Sequence, residues 1–193
     1  MIRTLFLVFH AIGVTARGYD TTFRAYALAT ALLLCVVLPG CASLSDQARS
    51  LIGRQAPQSR LMLLSGEHIA LSSRAGRNVA LLFWATWCPH SRSGIQEFEA
   101  LARVYKDRPE VEFYAISVDK NEAYEELQNR IRLQGLESMT HVFSGNDVQD
   151  EAFLAFYGER LPYAVFIDDK GVVRFTDLGV SGLKAFLAER YGS

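Results

Sequence analysis

Short apolar runs and amphipathic stretches follow one another along the chain, and this pattern predicts an α/β domain from residue 61 onward. The run Val79–Trp84 is wholly apolar, as expected of a strand that is buried on both faces of a largely parallel sheet. After it, apolar residues from Ile95 to Tyr105 recur at helical spacing. A strand that leads directly into an amphipathic helix is therefore the first unit of the predicted fold.

The same pattern predicts the other elements. They are a hairpin (61–64 and 68–71), a strand (111–118), a helix (121–134) with Asn121 as cap and Gly135 as stop, a strand (141–143), a helix (150–157) closed by Gly158, a second hairpin (161–167 and 172–175) and a last helix (182–191). This order predicts a central mixed β-sheet with helices on both faces and an N-terminal β-hairpin extension.

A different pattern precedes the domain. Residues 25–38 are apolar apart from Thr30, which is too short a run to span a bilayer comfortably but fits the core of a signal peptide. The run ends in Leu38-Pro39-Gly40-Cys41, which resembles the lipobox of bacterial lipoproteins except at Pro39. The alternative is an uncleaved membrane anchor with a chance cysteine.

The predicted organisation follows from that resemblance. It comprises a signal peptide or N-terminal extension (1–40), a lipidated Cys41 with a polar tether (41–60) and the domain itself (61–193). The resemblance implies a lipoprotein that Cys41 anchors to a membrane of the bacterial cell envelope, on the periplasmic side. A second apolar patch within residues 1–23 is explained either by a misassigned start or by an extension.

The charge and the cysteine content limit the kinds of partner that the sequence predicts. The net charge is −1 and no basic run occurs, so nucleic acid is not expected as a partner, and nothing in the sequence predicts an oligomeric state. Of the three cysteines, Cys35 would be removed with the signal peptide and Cys41 lipidated. Cys88 then remains as a lone thiol, either buried and inert or made to react with a group outside the chain.

The surroundings of Cys88 favour the reactive alternative. The strand ending at Trp84 delivers Cys88 to the first turn of a helix that Pro89 opens. The partial positive charge of a helix N-terminus favours a thiolate, and a protonated His90 would add to it. Ser91 occupies the position, three residues on, where a dithiol site needs its second sulfur.

With this element order and the segment Phe83-Trp84-Ala85-Thr86-Trp87-Cys88-Pro89, the chain resembles the thioredoxin-like superfamily. The most similar branch is the membrane-tethered TlpA/ResA-like thiol–disulfide oxidoreductases, and the resemblance covers residues 61–191. Leu161-Pro162 before the second hairpin is an independent match. The resemblance implies that Cys88 is the nucleophile, that Pro162 is a cis-proline facing it, and that the backbone of Leu161 pairs with an extended substrate.

Three positions depart from the family pattern. Ser91 replaces the resolving cysteine, Leu82 aligns with a buried proton-relaying acid, and Gln96 aligns with a helix-kinking proline. The first two losses agree, because an acid has nothing to deprotonate without a second thiol. The chain is thus predicted to be a monothiol enzyme that exchanges disulfides with client proteins or small thiols and needs no cofactor.

The remaining candidates are weighed beside that prediction. Ser91 either starts the helix or hydrogen-bonds the thiolate, and Trp87 with Pro89 is expected to form an apolar rim for substrate. A redox-inactive binding module is one alternative function. A thiol-dependent peroxidase is another, although Ala85 stands where that chemistry needs Thr or Ser. No metal site is predicted, because His68 and His141 have no accompanying cysteine pair.

Overall fold

A five-stranded mixed sheet forms the centre of the protein. The structure, a computed structural model, describes residues 45–108 and 111–192. The strands of this sheet are β3 (Asn78–Trp84), β4 (Val111–Ser117), β5 (Thr140–Phe143), β6 (Tyr163–Ile167) and β7 (Val173–Leu178), and a separate hairpin consists of β1 (Arg60–Met62) and β2 (His68–Ala70). The spatial order in the sheet is β5-β4-β3-β6-β7.

Strand β3 is the central strand of the sheet. It pairs in parallel with β4, which pairs in parallel with β5, and it pairs antiparallel with β6. All seven of its residues are buried, since helices cover both faces of the sheet. The apolar run at Val79–Trp84 therefore forms the strand that the sequence predicts.

Two hydrophobic cores lie on the two faces of the sheet. The helices are α1 (Ser45–Arg49), α2 (Pro89–Val104), α3 (Tyr124–Gln134), α4 (Glu151–Ala155) and α5 (Ser181–Tyr191). Leu81 and Phe83 of β3 pack with residues of α1 and α4, whereas Leu82 and Trp84 pack with residues of α2, α3 and α5. The predicted α/β fold with an N-terminal hairpin is confirmed.

Both edges of the sheet are covered. Leu63, just after β1, bridges to Val142 of the edge strand β5. Gln55 bridges to Val172 beside the other edge strand, and the N–H of Gly53 donates to the carbonyl oxygen of Val173 at 2.8 Å. Such contacts protect edge strands from pairing with other chains.

The stretch 45–59, predicted as part of a tether, packs on the domain. Ala48 and Leu51 of this stretch are buried in the same core as Phe83. Residues 45–60 belong to the same compact unit as the rest of the described chain. Residues 45–59 thus form part of the folded unit, and Cys41 lies outside the described part of the chain.

Two predicted helix boundaries are wrong in detail. Asn121 does not cap α3 but begins a 3₁₀ turn (Asn121–Ala123), and its side chain lies against Gly145. Gly158 does not supply a left-handed turn, because Tyr157 carries the positive φ of 55°. Gly158 is needed for space, since an added Cβ would clash with the ring of Phe153.

Across residues 45–108 and 111–192, no helix is both long enough and apolar enough to cross a membrane.

Candidate active site

Cys88 lies at the junction between β3 and α2. It is the N-cap residue of α2 with extended backbone angles (φ −84°, ψ 118°), and Pro89 occupies the first helical turn. Proline suits this position because the N–H that it lacks would have no partner within the helix. Cys88 is 8% exposed and forms no disulfide within the described part of the chain. Its sulfur is therefore held at the surface of the core, at the positive end of a helix of 16 residues.

The loop before β6 faces this sulfur. The Leu161–Pro162 peptide bond is cis, and the Sγ of Cys88 donates to the carbonyl oxygen of Leu161 at 3.7 Å. The carbonyl oxygen of Pro162 accepts from the N–H of Gly179 at 2.8 Å. The structure thus brings together the predicted nucleophile and the predicted cis-proline.

Gly94 of α2 makes the approach of this loop possible. A Cβ added at Gly94 would lie 2.7 Å from Cγ of Pro162 and 3.2 Å from its Cβ. Real Cβ atoms do not approach other heavy atoms so closely, so a side chain here would have to displace the proline ring. A glycine inside an amphipathic helix is the signal that could have identified this position.

An open groove of about 570 Å³ runs past the sulfur. Residues that line it include Trp87, Cys88, His90, Val148, Phe153, Glu159, Arg160, Leu161, Pro162 and Leu178. Trp87 is 58% exposed, which is unusual for the largest apolar side chain. The predicted residues Trp87, His90 and Leu161 therefore line one groove with Cys88.

Ser91 is fully buried beneath the turn that carries Cys88. Its Oγ accepts from the N–H of Ala85 at 3.3 Å, and its own N–H donates to the carbonyl oxygen of Cys88 at 3.1 Å. Leu82 is likewise fully buried, in an apolar core, and Gln96 is exposed on α2. At the position predicted for a resolving thiol lies a hydroxyl that ties the turn together, and at the position predicted for the acid lies a hydrocarbon side chain.

Asp119 is a buried carboxylate next to the active-site loop that the sequence interpretation missed. It follows β4 and is 0% exposed. Its Oδ1 accepts from the Oγ1 of Thr86 at 2.7 Å, its Oδ2 accepts from the Oγ of Ser117 at 2.6 Å, and both accept from the N–H of Thr86 at 3.1 Å. Asp119 reaches the loop because β3 and β4 are parallel neighbours whose carboxyl ends meet at one edge of the sheet.

The histidines predicted to bind no metal lie apart from the groove. The Nε2 of His141 donates to the carbonyl oxygen of Leu136 at 2.6 Å, and His68 is exposed on β2. Burial lowers the pKa of His141, and the Leu136 carbonyl and the charge of Glu99 only partly offset this. Within the described ranges, no group of three or more His, Cys, Asp or Glu side chains is placed to hold a metal ion.

The fold and the site together define a thioredoxin-like protein with one cysteine at the start of its active-site helix. The chain belongs to the AhpC/TSA family, which matches residues 52–176. It is 32% identical over 130 residues to the thiol-disulfide oxidoreductase ResA of Halalkalibacterium halodurans, covering 67% of this chain and 69% of that protein.

A second relative and a solved structure are similar to the chain as well. The thioredoxin-like protein YneN of Bacillus subtilis is 43% identical over 56 residues, which span 29% of this chain and only 33% of that protein. The structure resembles that of a thiol-disulfide oxidoreductase from Bacteroides fragilis with a TM-score of 0.64 at 23% identity, covering 71% of this chain and 99% of the other. This last likeness concerns the fold. The predicted thioredoxin-like redoxin branch is confirmed, and the relatives support the predicted class of enzyme, an oxidoreductase.

Proposed function

We propose that the protein is a monothiol thiol–disulfide oxidoreductase of the cell envelope that works through Cys88. The observation that carries the proposal is the position of the Cys88 sulfur. It lies at a helix N-terminus, 3.7 Å from the carbonyl oxygen of Leu161, at the wall of an open groove. The similarity to ResA proteins, which are named thiol-disulfide oxidoreductases, supports the same class of reaction.

The reaction begins when the Cys88 thiolate attacks one sulfur of a client disulfide. A bond forms between Sγ and that sulfur, the client S–S bond breaks, and the second client sulfur leaves as a thiolate. The product is a mixed disulfide between Cys88 and the client. Because Cys88 is the only cysteine among the described residues, an external thiolate must then break the mixed disulfide and release Cys88.

The neighbouring residues have separate roles in this proposal. The N-terminus of α2, opened by Pro89, stabilises negative charge on the sulfur, and His90 contributes further when it is protonated. Ser91 holds the turn and offers its hydroxyl hydrogen as a donor. The backbone at Leu161 pairs with an extended client segment, and Trp87 supplies apolar contact area at the rim.

The site of action is also part of the proposal. The resemblance of Leu38–Cys41 to a lipobox supports lipidation of Cys41 and a position on the periplasmic side of a membrane. Client proteins carrying thiols or disulfides in that compartment are the proposed partners, together with small thiols that regenerate Cys88. Disulfides persist there because the compartment is oxidising.

Trapping of mixed disulfides tests the reaction. Cells that express the full chain are quenched with acid and an alkylating agent, and adducts are separated on non-reducing gels and identified by mass spectrometry. We expect reductant-sensitive adducts for the wild type and none for Cys88→Ala. A double variant, Cys88→Ala with Ser93→Cys, carries an exposed thiol on the same helix and should trap few clients. Equal trapping by this control, or none by the wild type, would contradict the proposal.

A non-catalytic binding module is the second candidate, and the exposure of Trp87 beside the groove favours it. An exposed aromatic side chain is typical of a surface that binds another protein. If Cys88→Ala binds the same proteins with unchanged affinity and cells tolerate the substitution, the groove serves binding alone. Loss of function in Cys88→Ala with binding retained assigns the thiol chemistry instead.

A further inference from the structure

Asp119 is a buried ionisable group that the proposed reaction does not use directly. It is 0% exposed, and the donors to its carboxylate are all uncharged: the N–H and Oγ1 of Thr86 and the Oγ of Ser117. A buried carboxylate is costly unless hydrogen bonds compensate it. Both oxygens of Asp119 are compensated, and two of the three donor groups belong to one residue, Thr86.

Thr86 is the residue through which this carboxylate acts on the site. It lies two positions before Cys88, in the short loop between β3 and α2. The N–H of Cys88 donates to the carbonyl oxygen of Ala85 at 3.3 Å, so the loop is also tied internally. Fixing Thr86 from the end of β4 therefore fixes the start of α2 and the direction of the sulfur.

The backbone of Asp119 holds the other side of the groove. Its carbonyl oxygen accepts from the N–H of Asp147 at 3.2 Å, and Lys120 bridges to Asn146. Asp147 adopts a left-handed conformation with φ of 55°, and the following residue, Val148, lines the groove. One residue thus anchors both the Cys88 loop and the Val148 loop.

We infer that Asp119 is a positioning residue for thiol–disulfide exchange, which holds the Cys88 loop through Thr86 and the Val148 loop through its own carbonyl. The inference rests on the proposed function of Cys88. Asp119 touches neither the sulfur nor a substrate, so it acts by fixing geometry. Misplacement of a reacting group by a small distance reduces rates strongly, because the attacking sulfur must lie in line with the disulfide.

The test measures the reaction of Cys88 in the full chain with 2,2′-dipyridyl disulfide, a small uncharged disulfide. The Cys88 thiolate displaces one pyridinethiolate, which is followed by its absorbance, and a mixed disulfide remains on Cys88. In Asp119→Asn an amide nitrogen replaces one acceptor and faces a donor. We expect the rate constant to fall roughly tenfold. In Thr86→Val, which keeps the backbone N–H, the rate constant should fall less. Thr86→Ser keeps the hydroxyl, so its rate constant should stay close to that of the wild type.

Asp168→Asn is the matched control. Asp168 is also a buried carboxylate, but it accepts from Lys170, Val172 and Arg174 at the end of β6 opposite Pro162. This variant should lose stability in thermal unfolding yet keep the exchange rate within about twofold, because its site is remote. The double variant Thr86→Val with Asp119→Asn should react no more slowly than Asp119→Asn alone, since both substitutions remove the same interaction between the two side chains.

The outcomes separate the two proposals. A wild-type Cys88 that reacts no faster than glutathione would overturn the proposed function. A fast wild type with an equally fast Asp119→Asn would overturn the positioning role only, and so would a faster variant, which would mean that the negative charge of Asp119 dominates. Additive effects of the Thr86 and Asp119 substitutions would also contradict it, because the two residues would then act independently.

Discussion

At the scale of single residues, Gly94 shows how space rather than chemistry constrains the site. Gly94→Ala adds a Cβ 2.7 Å from Cγ of Pro162. Alanine favours a helix over glycine by about 1 kcal/mol, whereas overpacking of a buried site costs about 1–3 kcal/mol. Because the proline ring is stiff, we expect the clash to win, with a lower free energy of unfolding and slower alkylation of Cys88.

Ser93→Ala is the control for that substitution. Ser93 is exposed one position earlier on α2, so the same alanine is introduced without a clash. Its stability and the alkylation rate of Cys88 should stay close to those of the wild type. A Gly94→Ala variant that is more stable than the wild type and equally reactive would show that the loop at Pro162 moves at no cost.

In the proposed function, Ser91 is the residue that distinguishes this site from a dithiol site. Ser91→Cys places a second sulfur three positions after Cys88 on the same turn, and we expect an intramolecular disulfide on oxidation. Sulfur accepts hydrogen bonds weakly, so the bond from the Ala85 N–H weakens and stability should fall by about 1 kcal/mol. Counting free thiols measures whether the disulfide forms. The lifetime of mixed disulfides with clients is measured as well, and it should be shorter than in the wild type.

Ser93→Cys provides the comparison, since it adds a thiol that is exposed on the helix. It should leave both thiols free and the lifetime unchanged. If Ser91→Cys also keeps two free thiols, the turn does not allow the disulfide, and the changes at Leu82 and Gln96 become the next substitutions to reverse.

At the scale of elements, α4 depends on a single cap. The Oδ1 of Asp150 accepts from the N–H of Phe153 at 2.9 Å, and Asp150 is buried. The helix has only five residues, and the cap satisfies one of the N–H groups that its first turn leaves free. Asp150→Ala should cost about 1–2 kcal/mol in the free energy of unfolding measured with urea, and Glu151→Ala, at the exposed neighbour, less than half of that. Equal losses would contradict a capping role.

The same scale shows what the sequence could and could not predict. The sheet strands and the helix after Cys88 were predicted from apolar periodicity. A strand buried on both faces is a continuous apolar run, and a helix buried on one face has apolar residues at helical spacing. The docking of residues 45–59 did not follow from periodicity, since it depends on two buried apolar side chains, Ala48 and Leu51, and on backbone hydrogen bonds to β7. Backbone contacts leave no trace in side-chain composition.

The candidate site divides in the same way. Cys88, His90, Trp87 and Leu161–Pro162 were predicted from local segments, and they line one groove. Asp119 and Val148 were missed, because their place at the site depends on the order of strands and on loops distant in sequence. Such tertiary proximity needs the register of β3 and β4. Short motifs therefore identify the reactive sulfur but not the residues that position it.

At the scale of the whole molecule, the stability of the fold depends on pH through two groups that lie away from the groove. The pKa of His141 is lowered, first by burial, and its Nδ1 atom has no hydrogen-bond partner among the described residues. The unfolded chain therefore binds more protons than the folded one at pH values below about 6.5, and stability falls as the pH decreases through this range. Asp168 affects stability at lower pH. Burial opposes its ionisation, but hydrogen bonds from Val172, Arg174 and Lys170 outweigh burial and lower its pKa. The stability that the ionised carboxylate contributes is therefore lost only below about pH 3.8.

The two groups can be separated by His141→Gln, whose amide can still donate to the carbonyl of Leu136. We expect this variant to lose less stability than the wild type between pH 7 and pH 5, because glutamine does not titrate, while both proteins lose stability together below about pH 4 as Asp168 protonates. Thermal unfolding at a series of pH values measures this, and His68→Gln, at an exposed histidine, should follow the wild-type curve. If His141→Gln follows the wild-type curve as well, the destabilisation between pH 7 and pH 5 arises from other groups, and the burial of His141 does not control the acid stability of the fold.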